Sequence, residues 1–239
     1  CSEKQRTNIK RSLNRAKIFL VLSESWKKFF SEIVDEDKIH VLQNGIVIPT
    51  KEKQDYSSHK VLFLGRLCKE KGIGELLEAV PVIQKQIQDF KLILGGVWEE
   101  GNEALKEKTR ALSETVLYPG WISEKEREAL FQECSIFVLP TWFEGQPISL
   151  LEAMAAGMCV AASAVGGIPQ IMGKESDGTG ILLPPKDADV LSDELIKLLK
   201  DEEQRRKMGQ NARIRIINNY DVNRNVEALV EFYKEIGDY

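Results

Sequence analysis

Two short stretches hold side chains whose types and spacing suit anion and polyol chemistry. The first, GRLCKEKG at residues 65–72, sets Arg66 and Lys71 in a glycine-bounded loop between an apolar run and a helix. Free backbone N–H groups and the helix dipole favour an anion at such a helix start. Arginine adds a bidentate fork and lysine a point charge, a pairing suited to a diphosphate. A solvated loop is an equal reading of the same residues, because Lys69, Glu70 and Lys71 are ordinary surface types. The loop does not read G-x-G-x-x-G, which disfavours an NAD-type dinucleotide site.

The second stretch, FEGQPISLLEAMAAG at 143–157, places Glu144 before a helix and Glu152 inside it. Pro147 suits the first helical position and Gly157 a left-handed end, giving a helix of about ten residues. Ile148, Leu151, Met154 and Ala155 form its expected core face. A purely structural reading makes Glu144 a helix cap. Glu152 stands among Leu150, Leu151, Ala153 and Met154. Burying a lone carboxylate costs several kcal/mol unless it is bonded, so Glu152 should face a polar partner or ligand hydroxyls. The favoured reading has the two carboxylates on different parts of one elongated ligand, with the helix start facing phosphate between them. A third stretch, YPGWIS at 118–123, ends a strand and presents Trp121 and Ile122, which suits a nucleobase; packing is the commoner role for Trp121.

The elements that position these loops alternate. Short β-branched runs and longer amphipathic ones follow one another through the chain, the pattern of parallel strands joined by crossover helices. Residues 1–47 read as a first α/β unit, with helices at 4–15 and 24–33 and strands at 17–23 and 38–43. The polar, glycine- and proline-containing segment that follows reads as a linker, taken as 48–59. A second α/β unit spans 60–220. Its strands are expected at 60–65, 91–96, 116–120, 135–140, 159–163 and 180–184, and its helices at 73–86 (with Pro81 as a potential kink), 102–113, 124–133 and 147–156. From Asp187 onward the chain reads as helical, and 221–239 is expected to pack at an edge or back toward the first unit. Ligands of open parallel sheets bind beyond the carboxyl ends of the strands, where all three stretches fall.

Composition narrows the classes further. With 239 residues the chain exceeds the usual single domain, and its net charge of −4 gives no global field for nucleic acid, so any anion site is local. Cys1, Cys68, Cys134 and Cys159 form no C-x-x-C pair, and two histidines are too few for a His/Cys metal site. No apolar run approaches the roughly 20 residues of a membrane span, and the start CSEKQRTNIKR lacks a signal-type apolar region. A cytoplasmic setting is expected. Lys4, Arg6, Lys10, Arg11, Arg15 and Lys17 crowd the beginning; a solvated helix is favoured over peripheral contact with an anionic inner membrane face.

Taken in order, GRLCKEKG, LILGG, VLYPGWIS, SIFVLPTWFEGQPISLLEAMAAG and VGGIPQIM resemble the retaining nucleotide-sugar glycosyltransferases of family 4, often called glycosyl transferases group 1. The resemblance covers about 60–236, and 1–47 resemble the end of that family's N-terminal domain. It implies the GT-B arrangement of two Rossmann-like domains, with a nucleotide-diphosphate sugar held mainly by the C-terminal one. It also implies transfer to a sugar or lipid-linked acceptor with retention, in glycan or polysaccharide biosynthesis. By resemblance Arg66 and Lys71 neutralise the departing diphosphate, and Glu144 contacts the donor sugar near the reacting carbon. Glu152 holds the ribose hydroxyls and Ile122 borders the base. Gly145, Gln146 and Ile148 offer backbone N–H groups, while Pro147 touches the donor only through its ring. No metal or other cofactor is implied, because the basic pair and the helix dipole do the charge stabilisation.

Two departures stand out. The family often has phenylalanine or leucine where this chain has Gln146, which alters the donor-sugar contact. The front of the N-terminal domain, with its glycine-rich loop and positioning histidine, has no counterpart; His40 reads as a strand residue and His59 as a linker residue. The expectation is therefore a truncated enzyme, with a noncatalytic nucleotide-sugar-binding or assembly module as the alternative and a dehydrogenase as a distant third.

Overall fold

The computed structural model describes residues 3–237. Two compact units emerge, one combining the chain up to Val47 with the chain from Tyr220 onward, the other spanning Ile48–Asn219.

In the first unit α1 (Glu3–Leu13) and α2 (Glu24–Phe30) accompany two short parallel strands, β1 (Phe19–Val21) and β2 (Ile39–Val41), paired Phe19 to Ile39 and Val21 to Val41. Both strands are shorter than expected. Val21, Val34 and Ile39 make a small core with Trp26 and Phe30 packed against it. Ser23 caps α2 by accepting from the Trp26 amide at 3.3 Å. The last helix, Val222–Ile236, belongs to this unit: the Ile46 amide donates to Tyr220 at 2.9 Å and the Val222 amide to Ile46 at 3.0 Å. A Cβ on Gly45 would lie 2.7 Å from Val222 Cα, so only glycine admits that approach. His40 lies on β2 with its ring 5.1 Å from that of Phe232.

The second unit is a six-stranded parallel sheet. Its strands are β3 (Lys60–Leu64), β4 (Lys91–Gly95), β5 (Val116–Gly120), β6 (Ile136–Leu139), β7 (Cys159–Ser163) and β8 (Ile181–Leu183), in the order β5-β4-β3-β6-β7-β8. Val61, Leu62 and Phe63 of β3 are wholly buried, which suits a strand covered on both faces; each such side chain contributes about 1.5–3 kcal/mol. Between them run α3 (Ile73–Gln86), α4 (Glu103–Ala111), α5 (Glu124–Glu133), α6 (Ile148–Ala155) and the unanticipated five-residue α7 (Ile168–Met172), and after β8 come α8 (Ala188–Lys200) and α9 (Glu202–Asn219). Helix α3 packs against α4 and α8, and α6 against α9. Pro81 lies inside α3 without ending it, because Ile73, Leu76, Leu77, Val80 and Ile83 are buried along one face.

The segment 48–59, expected as a linker, carries neither helix nor strand, yet it is laid into the second unit. Tyr56 is buried and donates to the Gly157 carbonyl at 2.7 Å, while buried Arg205 donates back to the Tyr56 carbonyl at 3.0 Å. Lys53 is buried as well, its Nζ donating to Phe131 and Gln132 carbonyls in the last turn of α5 at 3.2 and 2.7 Å. Burial pulls its ammonium down to about 8. Polar composition hid a segment anchored by two long side chains whose heads find backbone partners.

Sheet order sets the site. From β3 the chain proceeds outward through β4 to β5, and from β6 the opposite way through β7 to β8. The loops after β3 and β6 therefore part at a switch point, where open α/β sheets place their ligands. Among the described residues no helix is long and apolar enough to cross a membrane. Lys10, Arg11, Arg15 and Lys17 are exposed; the Lys4 and Arg6 side chains lie outside the described residues.

Candidate functional site

The two switch-point loops are stitched together. The Trp142 amide donates to the Glu70 carbonyl at 2.8 Å, and Thr141 Oγ1 lies 3.1 Å from the same oxygen. Gly72, at φ 75°, makes the seam possible: a Cβ there would lie 2.1 Å from the Pro140 carbonyl oxygen. Closing the seam brings Lys71 Nζ onto Glu144 Oε1 in an ion pair, with only 14% and 17% of the two side chains exposed. Glu144 is thus no cap. Helix α6 starts at Ile148 with Pro147 in the capping position, whose ring caps none of its first amides. Those N–H groups and the dipole remain an anion-favouring end. Beneath the loop Gly166, at φ 55°, would place a Cβ 1.7 Å from the Glu144 carbonyl oxygen, and the Gly167 amide donates to Gly145 at 2.9 Å.

Beside this seam a groove of about 350 Å³ is walled by Arg66, Trp121, Ile122, Arg127, Ser149 and Glu152 and floored by Gly65, Gly95 and Gly96. At two of these three glycines an added Cβ would collide with its neighbours. A Cβ on Gly96 would meet the Gly65 carbonyl oxygen at 1.8 Å, and one on Gly95 would meet Ile122 Cγ1 at 2.7 Å. Glu152 Oε1 lies 3.1 Å from Arg127 Nη1. Desolvation pushes the Glu152 carboxyl above the usual range, opposed by the Arg127 charge and assisted by Glu124. Arg66 pairs with Glu99 near the solvent. Exposed backbone, an aromatic and an aliphatic wall, a hydrogen-bond acceptor and two guanidiniums suit a ligand with a flat ring, hydroxyls and an anion.

The residues singled out in the sequence fall into two linked groups. Arg66, Ile122 and Glu152 line the groove; Lys71 and Glu144 meet at the seam, with Gly145, Gln146 and Pro147 leading from it into α6. Three details differ from expectation, at Ile148, Pro147 and Trp121. Ile148 is exposed rather than core-facing, because the first helical residue lies at the open end while Leu150, Leu151, Ala153, Met154 and Ala155 fill the core. Pro147 precedes the helix, which is eight residues long. Gln146 is buried. Trp121, for which packing was the commoner role, is 77% exposed. Arg127, Ser149 and Trp142 were not singled out. Arg127 stands three residues after Glu124 on a charged helix and reads as half of a surface pair; its position after the YPGWIS loop was the only signal. Among the described residues the one grouping with metal-ligand spacing is Cys68, Glu70 and Glu99, within 4.8 Å of one another, and Arg66 already occupies Glu99.

The sequence profile described as glycosyl transferases group 1 matches residues 47–215. The chain belongs to the glycosyl transferases group 1 family. Among its relatives, the putative colanic acid biosynthesis glycosyltransferase WcaL of Escherichia coli (strain K12) is 27% identical over 234 residues, 91% of this chain and 57% of that protein. The N,N'-diacetylbacillosaminyl-diphospho-undecaprenol alpha-1,3-N-acetylgalactosaminyltransferase of Campylobacter jejuni is 29% identical over 210 residues, 88% of this chain and 52% of that one. The structure of Anabaena HepE, solved in complex with UDP and glucose, matches with a TM-score of 0.84 at 18% identity over 98% of this chain and 68% of that chain. That likeness establishes the fold. The chain spans about half the length of the curated relatives it matches.

Proposed function

We propose that the six-stranded unit is the donor-binding half of a retaining glycosyltransferase that takes a nucleotide-diphosphate sugar and passes the sugar to a sugar or lipid-linked acceptor. The observation that carries this reading is the meeting of Lys71 and Glu144 at the switch point, beside a groove lined by Arg66 and Glu152. Ile122 borders the base above the glycine floor, and Glu152 accepts from the ribose hydroxyls. Arg66, Lys71 and the start of α6 stabilise the negative charge that grows on the diphosphate as its bond to the anomeric carbon breaks, so no metal is required for that task. Glu144, fixed by Lys71, accepts from donor-sugar hydroxyls near the reacting carbon. The amides of Gly145, Gln146 and Ile148 complete the lining, with Pro147 offering its ring; the amide head of Gln146 makes this wall more polar than an apolar residue would.

UDP and glucose in HepE support the donor class, and the Campylobacter relative's name supports a lipid-linked acceptor. A cytoplasmic location with peripheral contact at the inner membrane face goes with that acceptor, and the exposed Lys10, Arg11, Arg15 and Lys17 suit it. The test is calorimetric titration of the chain with UDP-, GDP- and ADP-sugars. Binding of one class is expected, weakened by about 1.5–3 kcal/mol, or roughly 10- to 100-fold, in Arg66→Ala. A failure of all three to bind, or binding indifferent to both Arg66→Ala and Glu152→Ala, overturns the assignment.

A further inference from the structure

One backbone angle stands apart from the rest. Lys186, at φ 63°, is the only non-glycine residue in the left-handed region among the described residues. An L side chain is strained there, whereas glycine adopts the same angle freely. The chain is constrained on both sides of it. Pro184 and Pro185 precede it with their own φ locked by the ring, and Asp187 follows as the cap of α8, accepting from the Val190 amide at 2.9 Å. A lysine in this place therefore brings a side chain that glycine would lack, and that side chain has a destination. Its Nζ lies 4.4 Å from the centre of the Trp142 ring, within the range of a cation–π contact.

Trp142 is one of the residues that hold the loop after β6. Its amide donates to Glu70, its Nε1 donates to Glu75 Oε1 at 2.8 Å, and Lys69 Nζ lies 5.4 Å from its ring centre. Two residues on comes Glu144. Lys186 and Trp142, in contact with each other, both line a second cleft, of about 690 Å³, that lies outside the donor groove.

We infer that Lys186 is a positioning residue, which acts through the Trp142 ring to hold the 141–146 loop and with it the Lys71–Glu144 pair in the geometry that receives the donor sugar. Strain persists where the surrounding structure over-determines it, and here the over-determining contact leads straight to the functional loop. The inference rests on the donor-binding reading for its functional half. Its structural half stands apart from any ligand.

The experiment compares wild type with Lys186→Gly, Lys186→Arg and Trp142→Leu. Hydrogen exchange of the ligand-free chain reads the 141–146 amides; titration with the nucleotide sugar that wild type binds reads affinity; thermal unfolding reads the fold. In Lys186→Gly the melting temperature holds or rises, the 141–146 amides exchange faster, and affinity falls about fivefold. Lys186→Arg, which keeps the cation over the ring, restores exchange and affinity, and Trp142→Leu reproduces the losses. A Lys186→Gly protein with wild-type exchange across 141–146 overturns the inference. So does one that melts lower with faster exchange throughout α8, since that marks an ordinary structural prop. Should wild type bind no nucleotide sugar, the donor reading fails, and the exchange data alone still decide whether Lys186 holds the loop.

Discussion

Two ion pairs leave the same loop after β3 and meet different fates. Arg66 reaches outward to Glu99, with 68% and 37% of the side chains exposed; five residues on, Lys71 reaches across the seam to Glu144, with 14% and 17% exposed. The chemistry is nearly the same and the surroundings are not. Water screens the outer pair and leaves it cheap to open, whereas the inner pair has given up most of its hydration and depends on its partner. A diphosphate can displace Glu99 from Arg66 with little loss. Lys71 and Glu144 are better suited to act as a fixed unit that meets the ligand already oriented.

Breaking the inner pair from one side should produce the largest effect. Lys71→Met leaves the Glu144 carboxylate shielded and uncompensated, and urea unfolding at neutral pH should show a loss of about 2–3 kcal/mol. Adding Glu144→Gln to that variant removes the stranded charge and should recover most of the loss. If Lys71→Met is as stable as wild type, the seam is wetter than its burial indicates and the contrast between the pairs collapses.

Glu152 extends the comparison to a carboxylate that is shielded but only partly compensated. Desolvation raises its folded-state pKa above the ordinary glutamate value, with Arg127 pulling the other way. A carboxyl whose pKa is raised on folding contributes stability that is present below its unfolded pKa and lost as pH climbs through the folded one. Glu152→Gln, which stays neutral, should therefore gain on wild type as pH rises above the ordinary glutamate pKa and through the raised folded one, measured by urea midpoints across a pH series that starts below the ordinary value. The same variant should bind a nucleotide sugar more weakly, because an amide accepts fewer bonds from a pair of hydroxyls. A stability difference that stays flat with pH would place Glu152 in free solvent.

What could be read in advance follows the same division between local and non-local information. The six strands of the second unit announce themselves as short apolar runs, four of them ending at Gly65, Gly95, Gly120 and Pro140, and the loops after these could be identified as sites because strand ends are local features. The order β5-β4-β3-β6-β7-β8 could not, since a crossover helix does not encode the side on which the next strand lands. The Lys71–Glu144 pair, separated by 73 positions, depends on that order. Arg127 was overlooked for a related reason: its local partner Glu124 is visible in the helix, its distant partner Glu152 is not. Ile148 and Trp121 erred in the opposite sense. Periodicity assigned one to the core and frequency the other to packing, yet each sits at the mouth of a loop where the pattern has no neighbour to pack against.

The outer pair offers the smallest and most discriminating effect. Arg66→Ala removes an exposed contact, so its unfolding free energy should differ from wild type by less than about 0.5 kcal/mol. Its consequence belongs to binding, where the guanidinium faces a diphosphate rather than a single carboxylate, and there the loss should be several times larger. Glu99→Gln separates the two roles. With the competing carboxylate gone, Arg66 is released in advance, and the nucleotide sugar should bind somewhat more tightly at low salt, with the gain fading as added salt screens the Arg66–Glu99 attraction in the wild type. Weaker binding in Glu99→Gln would mean instead that Glu99 aims Arg66 at the ligand, and the outer pair would then be a fixed, pre-oriented unit like the inner one.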